Sequence, residues 1–263
     1  MSTYLNISDK IKLQTALTDS PEYNAILNYA NTQGYSTPSE SQITLQLSLL
    51  NSLKTIGVWD KLDVFYVFAT DGDSDFATLN WKAPSSHQVT KINSPTFTAN
   101  SGFAGDGSSS YLDTNYNPAT SGTNYTLNDA SISVWSNDFV SNDFITGTIS
   151  AGVNVMRMSG SSSNQRINMG GSSGFTPTVN FSDSSKKLRQ FNRTSSTNMT
   201  AFIDTTSTTH TGNSTEIFSG NQLILRSFSS YSSTEVAFFG MGASLVSESV
   251  DFYNALNTYK SAI

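Results

Sequence analysis

The chain has 263 residues, enough for one large all-β domain or a small helical piece joined to a sandwich, and it lacks cysteine, which excludes disulfides, thiolate metal sites and a cysteine nucleophile. With 14 basic against 20 acidic residues its net charge is -6, and no basic cluster is larger than Lys186, Lys187 and Arg189, so no nucleic-acid partner is expected. Charged residues are only 13% of the chain, which leaves solubility to Ser, Thr and Asn, as is common in extracellular and virion-surface proteins.

Residues 1–60 read as helical. Ser8, Ile11, Ala16 and Leu17 suggest a short first helix, and Ser20 before Pro21 places a cap ahead of a proline at the first helical position. Tyr23, Ile26, Leu27 and Ala30 form a stripe that ends near Gly34. In TPSE, Thr37 is the expected cap, Pro38 the first helical residue and Glu40 the third, a capping box whose helix runs to Ile56 and stops at Gly57. Leu45, Leu47 and Leu49 alternate as a strand would, but the caps and the unbranched β-carbons of these leucines favour helix. Ile43, Leu47 and Leu50 on one face, widened by Leu45, Leu49, Leu53 and Ile56, call for burial on more than one side.

From Leu62 the period changes. LDVFYVFA (62–69) reads as a buried strand, DGDSD (71–75) as a turn or loop, and FATLNW (76–81) as a strand returning beside the first. Short strands follow at 96–99 and 110–113 around the glycine-rich connection GFAGDGSSS, where Gly102, Gly105 and Gly107 permit a tight path; 114–130 reads as loop. Ser131 to Ile149 reads as the first strand pair of a sandwich, completed by 154–158, 165–169, 186–193, 199–205, 221–228 and 235–245 with Ser/Gly/Asn connections. The chain closes on an amphipathic helix capped by Ser247, with Phe252, Leu256, Tyr259 and Ile263 on one face. The N-terminal stretch holds no apolar run of signal-sequence length and no segment is apolar over a membrane-spanning length, so the expectation is a protein soluble as made, with no membrane insertion.

The series GFAGDGSSSYLDT, LNDASISVWS, AFIDTT, NQLILRS and FFGMGASLVSESVDFYNAL resembles a concanavalin-A-like or laminin-G-like jelly roll. IGVWDKLDVFYVF, following helices, is similar to a pattern of tailed-bacteriophage virion proteins, and together the likeness covers Ser39 to Ile263. It implies a mainly β fold: a jelly-roll β-sandwich over 61–263 with a closing C-terminal helix, preceded by a helical docking or oligomerisation region over 1–60. It further implies a structural component of the virion, capsid-decorating, head-fibre or tail-associated, with other virion proteins and further copies of the chain as partners. The family includes sugar binders, glycan hydrolases and purely structural members, so the fold leaves the activity open.

Asp71, Asp73 and Asp75 alternate in a loop as the first ligands of a calcium loop do, although Phe76 and Lys82 stand where an EF-hand has glycine and glutamate. They are the candidate metal ligands, for Ca2+, against the plainer reading of a solvated acidic turn; Asp106 and Asp113 are alternatives better assigned to turn capping. Glycoside hydrolysis needs two carboxylates at a set separation. The five glutamates, Glu22, Glu40, Glu216, Glu235 and Glu248, are scattered, and the two histidines, His87 and His210, sit in polar segments of a chain without GxSxG. No catalytic residue is assigned, and no enzyme is expected. A glycan platform needs an exposed aromatic ring among polar groups. Trp135, readable as core or platform, and the tyrosines Tyr111, Tyr116, Tyr125 and Tyr231 are the candidates for glycan or interface contacts. The leading expectation is a non-enzymatic structural virion protein displaying a lectin-like domain; the competing one is a carbohydrate-binding adhesion module for host-surface glycans, and a glycoside hydrolase stands third.

Overall fold

The structure is a computed structural model that describes residues 7–138, 140, 144–148, 158–159, 187–217 and 219–263. Its N-terminal part is helical: α1 (Ile7–Thr18), α2 (Pro21–Gln33), α3 (Glu40–Thr55) and the single turn α4 (Val58–Lys61). Helix α2 begins at its proline and buries Tyr23, Ile26, Leu27 and Ala30, the stripe spaced for one face. Helix α3 starts later than its capping box predicts. Ser39, not Thr37, is the N-cap, and its hydroxyl accepts from Gln42 N. The cause lies in the DGDSD loop: the Asp73 carboxylate takes Ser36 N at 2.6 Å and Asp71 takes Ser39 N at 3.0 Å, which holds this segment outside the helix.

The described strands are β1 (Leu62–Val67), β2 (Thr90–Ile92), β3 (Thr96–Thr98), β4 (Gly102–Ala104), β5 (Tyr111–Asp113), β6 (Ala130–Ser136), β7 (Phe144–Gly147) and β8 (Met158–Ser159). They continue with β9 (Leu188–Arg193), β10 (Asn198–Ile203), β11 (Thr206–Thr211), β12 (Leu223–Ile224), β13 (Arg226–Ser227), β14 (Ser230–Tyr231) and β15 (Glu235–Gly242). A short turn of helix, α5 (Pro118–Ser121), precedes β6, and α6 (Ser249–Lys260) follows β15. Among the described residues the larger sheet runs β11-β10-β9-β6-β15-β4-β3, with β1 also on β15, and the smaller runs β2-β5-β12-β7-β8. The pairs β1/β15, β6/β15, β6/β9 and β10/β11 are all antiparallel.

Alternation along the strands sorts the apolar side chains onto two faces. Val64, Tyr66, Phe68, Ile132, Val134 and Phe239 meet Leu112, Ile145 and Leu223 of the small sheet in one core. Phe65, Val67, Ala69, Trp135 and Phe238 meet Leu50, Leu53, Trp59 and Phe252 of the helices in a second. The large sheet is therefore the middle of three layers, and burial on both faces is why LDVFYVFA reads as an unbroken apolar run.

Several expectations are corrected. Strands β6 and β7 are not a pair: β6 lies between β9 and β15, while β7 lies between β12 and β8 in the other sheet. Strand β6 is buried along its whole length, a condition met by a central strand of the middle layer. FATLNW is buried but forms no strand. Phe76–Thr78 is a 3-10 turn, started by Asp73 Oδ1, which accepts from Asp75 N and Phe76 N. Strand β4 lies inside the stretch read as connection, where it pairs with β3 and β15. Strand β11, TSTTHT, carries no aliphatic or aromatic hydrocarbon side chain to signal it. The runs at 154–157 and 165–169 lie outside the described residues.

Helix α6 packs on α3, burying Phe252, Leu256 and Tyr259. Ser247 does not cap it: the helix starts at Ser249, whose Oγ donates to Leu245 O at 2.7 Å, and the preceding Glu248 is gripped by Lys61 Nζ, 2.8 Å from both carboxylate oxygens. On α3, facing α2, α6 and the segment that follows β1, sits Gln46, with no exposed surface. Its amide nitrogen donates to Tyr259 Oη at 3.0 Å and Thr70 Oγ1 at 3.1 Å, and its oxygen accepts from Tyr23 Oη at 2.5 Å. No helix of the described residues is long and apolar enough to cross a membrane.

Candidate functional site

After β12 the chain makes a tight hairpin in which Arg226 faces Tyr231 and Ser227 faces Ser230, leaving Phe228 and Ser229 as its two-residue turn. Such turns favour glycine or asparagine because they require the left-handed backbone. Here Phe228 has φ +53, and Leu225 on the other flank of Arg226 has φ +66. A bulky residue in that region carries roughly 1 kcal/mol or more of strain and persists only where its surroundings fix it. They do so at both positions. Leu225 is buried, with its N–H on Ile145 O at 2.6 Å and its carbonyl accepting Ser232 N at 2.9 Å. Phe228 N donates to Thr148 O at 2.6 Å, which ties the hairpin tip to the end of β7. The Phe228 side chain is nonetheless 37% exposed, and no other Phe or Trp among the described residues is exposed to that degree.

Beside it the Arg226 guanidinium packs against two neighbouring rings, its carbon 4.6 Å from the Tyr111 centroid and 4.9 Å from that of Tyr231. The two rings are 6.1 Å apart and inclined at 51°. Nε donates to Phe228 O at 3.1 Å, which fixes the plane of the guanidinium. The flanking loop is built by Asp106, whose carboxylate accepts the N–H groups of Ser108, Ser109 and Ser110 and the Ser109 hydroxyl. Those bonds hold its carboxyl far below the usual carboxylate range. The loop runs against the hairpin's exit so closely that a Cβ on Gly105 would lie 2.0 Å from Ser232 O. The surface assembled this way combines one exposed aromatic ring, a positioned cation and small hydroxyl side chains.

Of the residues singled out from sequence, Tyr111 and Tyr231 meet here. Trp135 does not: it is 2% exposed on the helix side of the large sheet, stacked on Tyr253 at 5.8 Å and edge-on to Phe238. Tyr116 and Tyr125 are also buried, because the loop that carries them is drawn onto β1 by Asp63. Asp63 Oδ2 accepts Tyr116 Oη at 2.8 Å and Tyr125 N at 2.9 Å, and Oδ1 accepts Asn124 N at 2.8 Å. Burial, with Asp63 adding to it, raises the Tyr116 hydroxyl well above the ordinary tyrosine range, and burial raises Tyr125 as well. Asp63→Ala strands these donors and is expected to destabilise the protein by about 3 kcal/mol in chemical denaturation; a loss below about 1 kcal/mol would contradict this anchoring.

Asp71, Asp73 and Asp75 do not converge on a common point. The first two hold the backbone ahead of α3, and Asp75 pairs with Lys91 at 2.7 Å. Among the described residues no group of three or more His, Asp or Glu is arranged to hold a metal ion. Asp113 is a turn acceptor for Asn115 N and Asn221 Nδ2. Arg226 and Phe228 were missed by sequence reasoning. The available signal was an apolar ring in a serine-rich turn, RSFSSY, two residues from an arginine.

No protein-family model matches the chain, and no curated protein matches it. Among solved structures it is similar to the HCR/D F1240A mutant, with TM-score 0.51 and 10% identity over 75% of this chain and 52% of that one. It is similar also to the Trypanosoma rangeli sialidase in complex with sialic acid, with TM-score 0.50 and 11% identity over 82% of this chain and 39% of that one. The botulinum neurotoxin serotype D binding domain stands at TM-score 0.49 and 10% identity over 77% and 52%. The chain spans about half the length of the first of these and less of the sialidase. At such identity the likeness establishes the fold alone, an antiparallel β-sandwich.

Proposed function

We propose that this β-sandwich is a carbohydrate-binding module whose glycan site is the hairpin Arg226–Tyr231 with Tyr111. The observation that carries the reading is Phe228, an aromatic ring kept exposed at a backbone position that disfavours it, beside a guanidinium and hydroxyl groups. An exposed ring packs on the C–H face of a pyranose while neighbouring polar groups fix its orientation. The proposal is of binding without catalysis. Asp63, Asp113, Asp204 and Glu235 serve as acceptors within the fold, as when Asp204 takes Lys187 N and Leu188 N and Glu235 takes Asn137 Nδ2. Assignment to the concanavalin-A type, and display on a virion beside other virion proteins and further copies of the chain, rest on the sequence resemblance.

A glycan array probed with the protein and with Phe228→Ala tests the reading. Binding to at least one glycan class is expected, weak per site, with at least a tenfold loss in the variant, about 1.4 kcal/mol. Binding that survives Phe228→Ala unchanged would move the site elsewhere.

A further inference from the structure

Arg226 engages its Nε on Phe228 O and packs against the adjacent rings of Tyr111 and Tyr231. Among the described residues neither of its Nη nitrogens has a hydrogen-bond partner, and it takes part in none of the ion pairs, which join Lys10 to Glu40, Lys54 to Glu22, Lys61 to Glu248 and Lys91 to Asp75. The hydroxyls of Tyr111 and Tyr231 likewise have no hydrogen-bond partner among the described residues. A guanidinium held at Nε and lying against two rings keeps its remaining donors in its own plane, along the fork edge. That edge matches the two oxygens of a carboxylate, which it takes in parallel N–H···O bonds. The residues of the hairpin around it, Ser227, Ser229 and Ser230, are neutral, so no side chain there competes for the cation.

We infer that the fork of Arg226 binds the carboxylate of an acidic sugar residue, which makes glycans carrying uronic or nonulosonic acids the ligand class. This rests on the glycan-binding reading and narrows it. A sugar acid is favoured over an acidic peptide because Phe228, beside the fork, offers a flat apolar surface for a pyranose ring. The carboxylate would gain charge-assisted bonds from a cation already held in place, with little ordering left to do on binding.

The test needs no variant at first. Glycosides of glucuronic, galacturonic and N-acetylneuraminic acid are titrated against the protein by NMR, each beside its own methyl ester, with a glutamate-rich peptide as a further probe. At least one acid is expected to bind about tenfold more tightly than its ester, a preference that shrinks in high salt. Arg226→Gln is expected to erase the preference while weaker binding of the ester persists. Equal affinity for every acid and ester, a preference that survives Arg226→Gln, or tighter binding of the peptide overturns this inference and leaves glycan binding standing. Failure of all these sugars, acid and ester, to bind overturns this inference, and the glycan-binding reading falls with it only where the glycan array shows no binding either.

Discussion

Replacing Gln46 by leucine is expected to destabilise the protein by about 3 kcal/mol and to lower its unfolding midpoint by roughly 6–12 °C. The side chain is fully buried and bonds to Tyr23, Thr70 and Tyr259, from three other segments of the chain. Leucine fills nearly the same space but leaves the Tyr23 hydroxyl without an acceptor in a site closed to water, where an orphaned donor costs about 1–3 kcal/mol. Tyr259 fares better because it still donates to Ala69 O at 2.8 Å. The double variant Tyr23→Phe/Gln46→Leu removes both partners and should recover about half of the loss, a coupling readable from a double-mutant cycle. A Gln46→Leu protein within about 0.5 kcal/mol of the parent would show that apolar packing alone joins the helices to the sheet. Burial raises the hydroxyls of Tyr23 and Tyr259 above the ordinary tyrosine range. Their contribution is therefore complete below the unfolded pKa of about 10 and declines as pH rises beyond it, because the unfolded chain loses those protons first.

Gly102→Ala is expected to be at least as damaging, about 4 kcal/mol, with loss of soluble protein the simplest readout. Gly102 opens β4 with φ +135, and a Cβ there would lie 2.0 Å from Val236 O, inside the pairing of β4 with β15. Both strain and overlap act at once, and neither has a flexible side chain to yield. Because β4 leads directly into the Asp106 loop beside the hairpin, a variant that did fold should also disturb Tyr111 and Tyr231 fluorescence. Near-parental stability would mean that the β4–β15 contact is looser than its geometry.

The layers of the fold were largely legible in the sequence because hydrophobic period carries them. The stripe of α2, the unbroken run of β1 and the amphipathic α6 each announce how many faces are covered. Exact boundaries were less legible, since they depend on distant partners. Ser39 displaces Thr37 as a cap only because Asp71 and Asp73 reach it from a loop more than thirty residues on, a closure no local window contains. The separation of β6 from β7 is of the same kind, decided by which strand is buried on both faces. The candidate site was half legible. Tyr111 and Tyr231 are aromatic residues at strand ends, where a platform is sought, but Tyr116 and Tyr125 are of the same type and are buried by Asp63, itself a residue that reads as strand. Phe228 escaped because an apolar residue at the end of NQLILRSF reads as core, and only the left-handed backbone of the hairpin turns it outward.

The most direct measurement is a two-dimensional 1H–15N NMR titration of the full chain with the strongest-binding oligosaccharide from the glycan array. Saturable shifts are expected to concentrate on residues 225–232, on Tyr111 and on the serines of the Asp106 loop, leaving the helical layer around Gln46 unmoved. Shifts confined to another surface, or no saturable shift at any sugar concentration, would contradict glycan recognition by this hairpin.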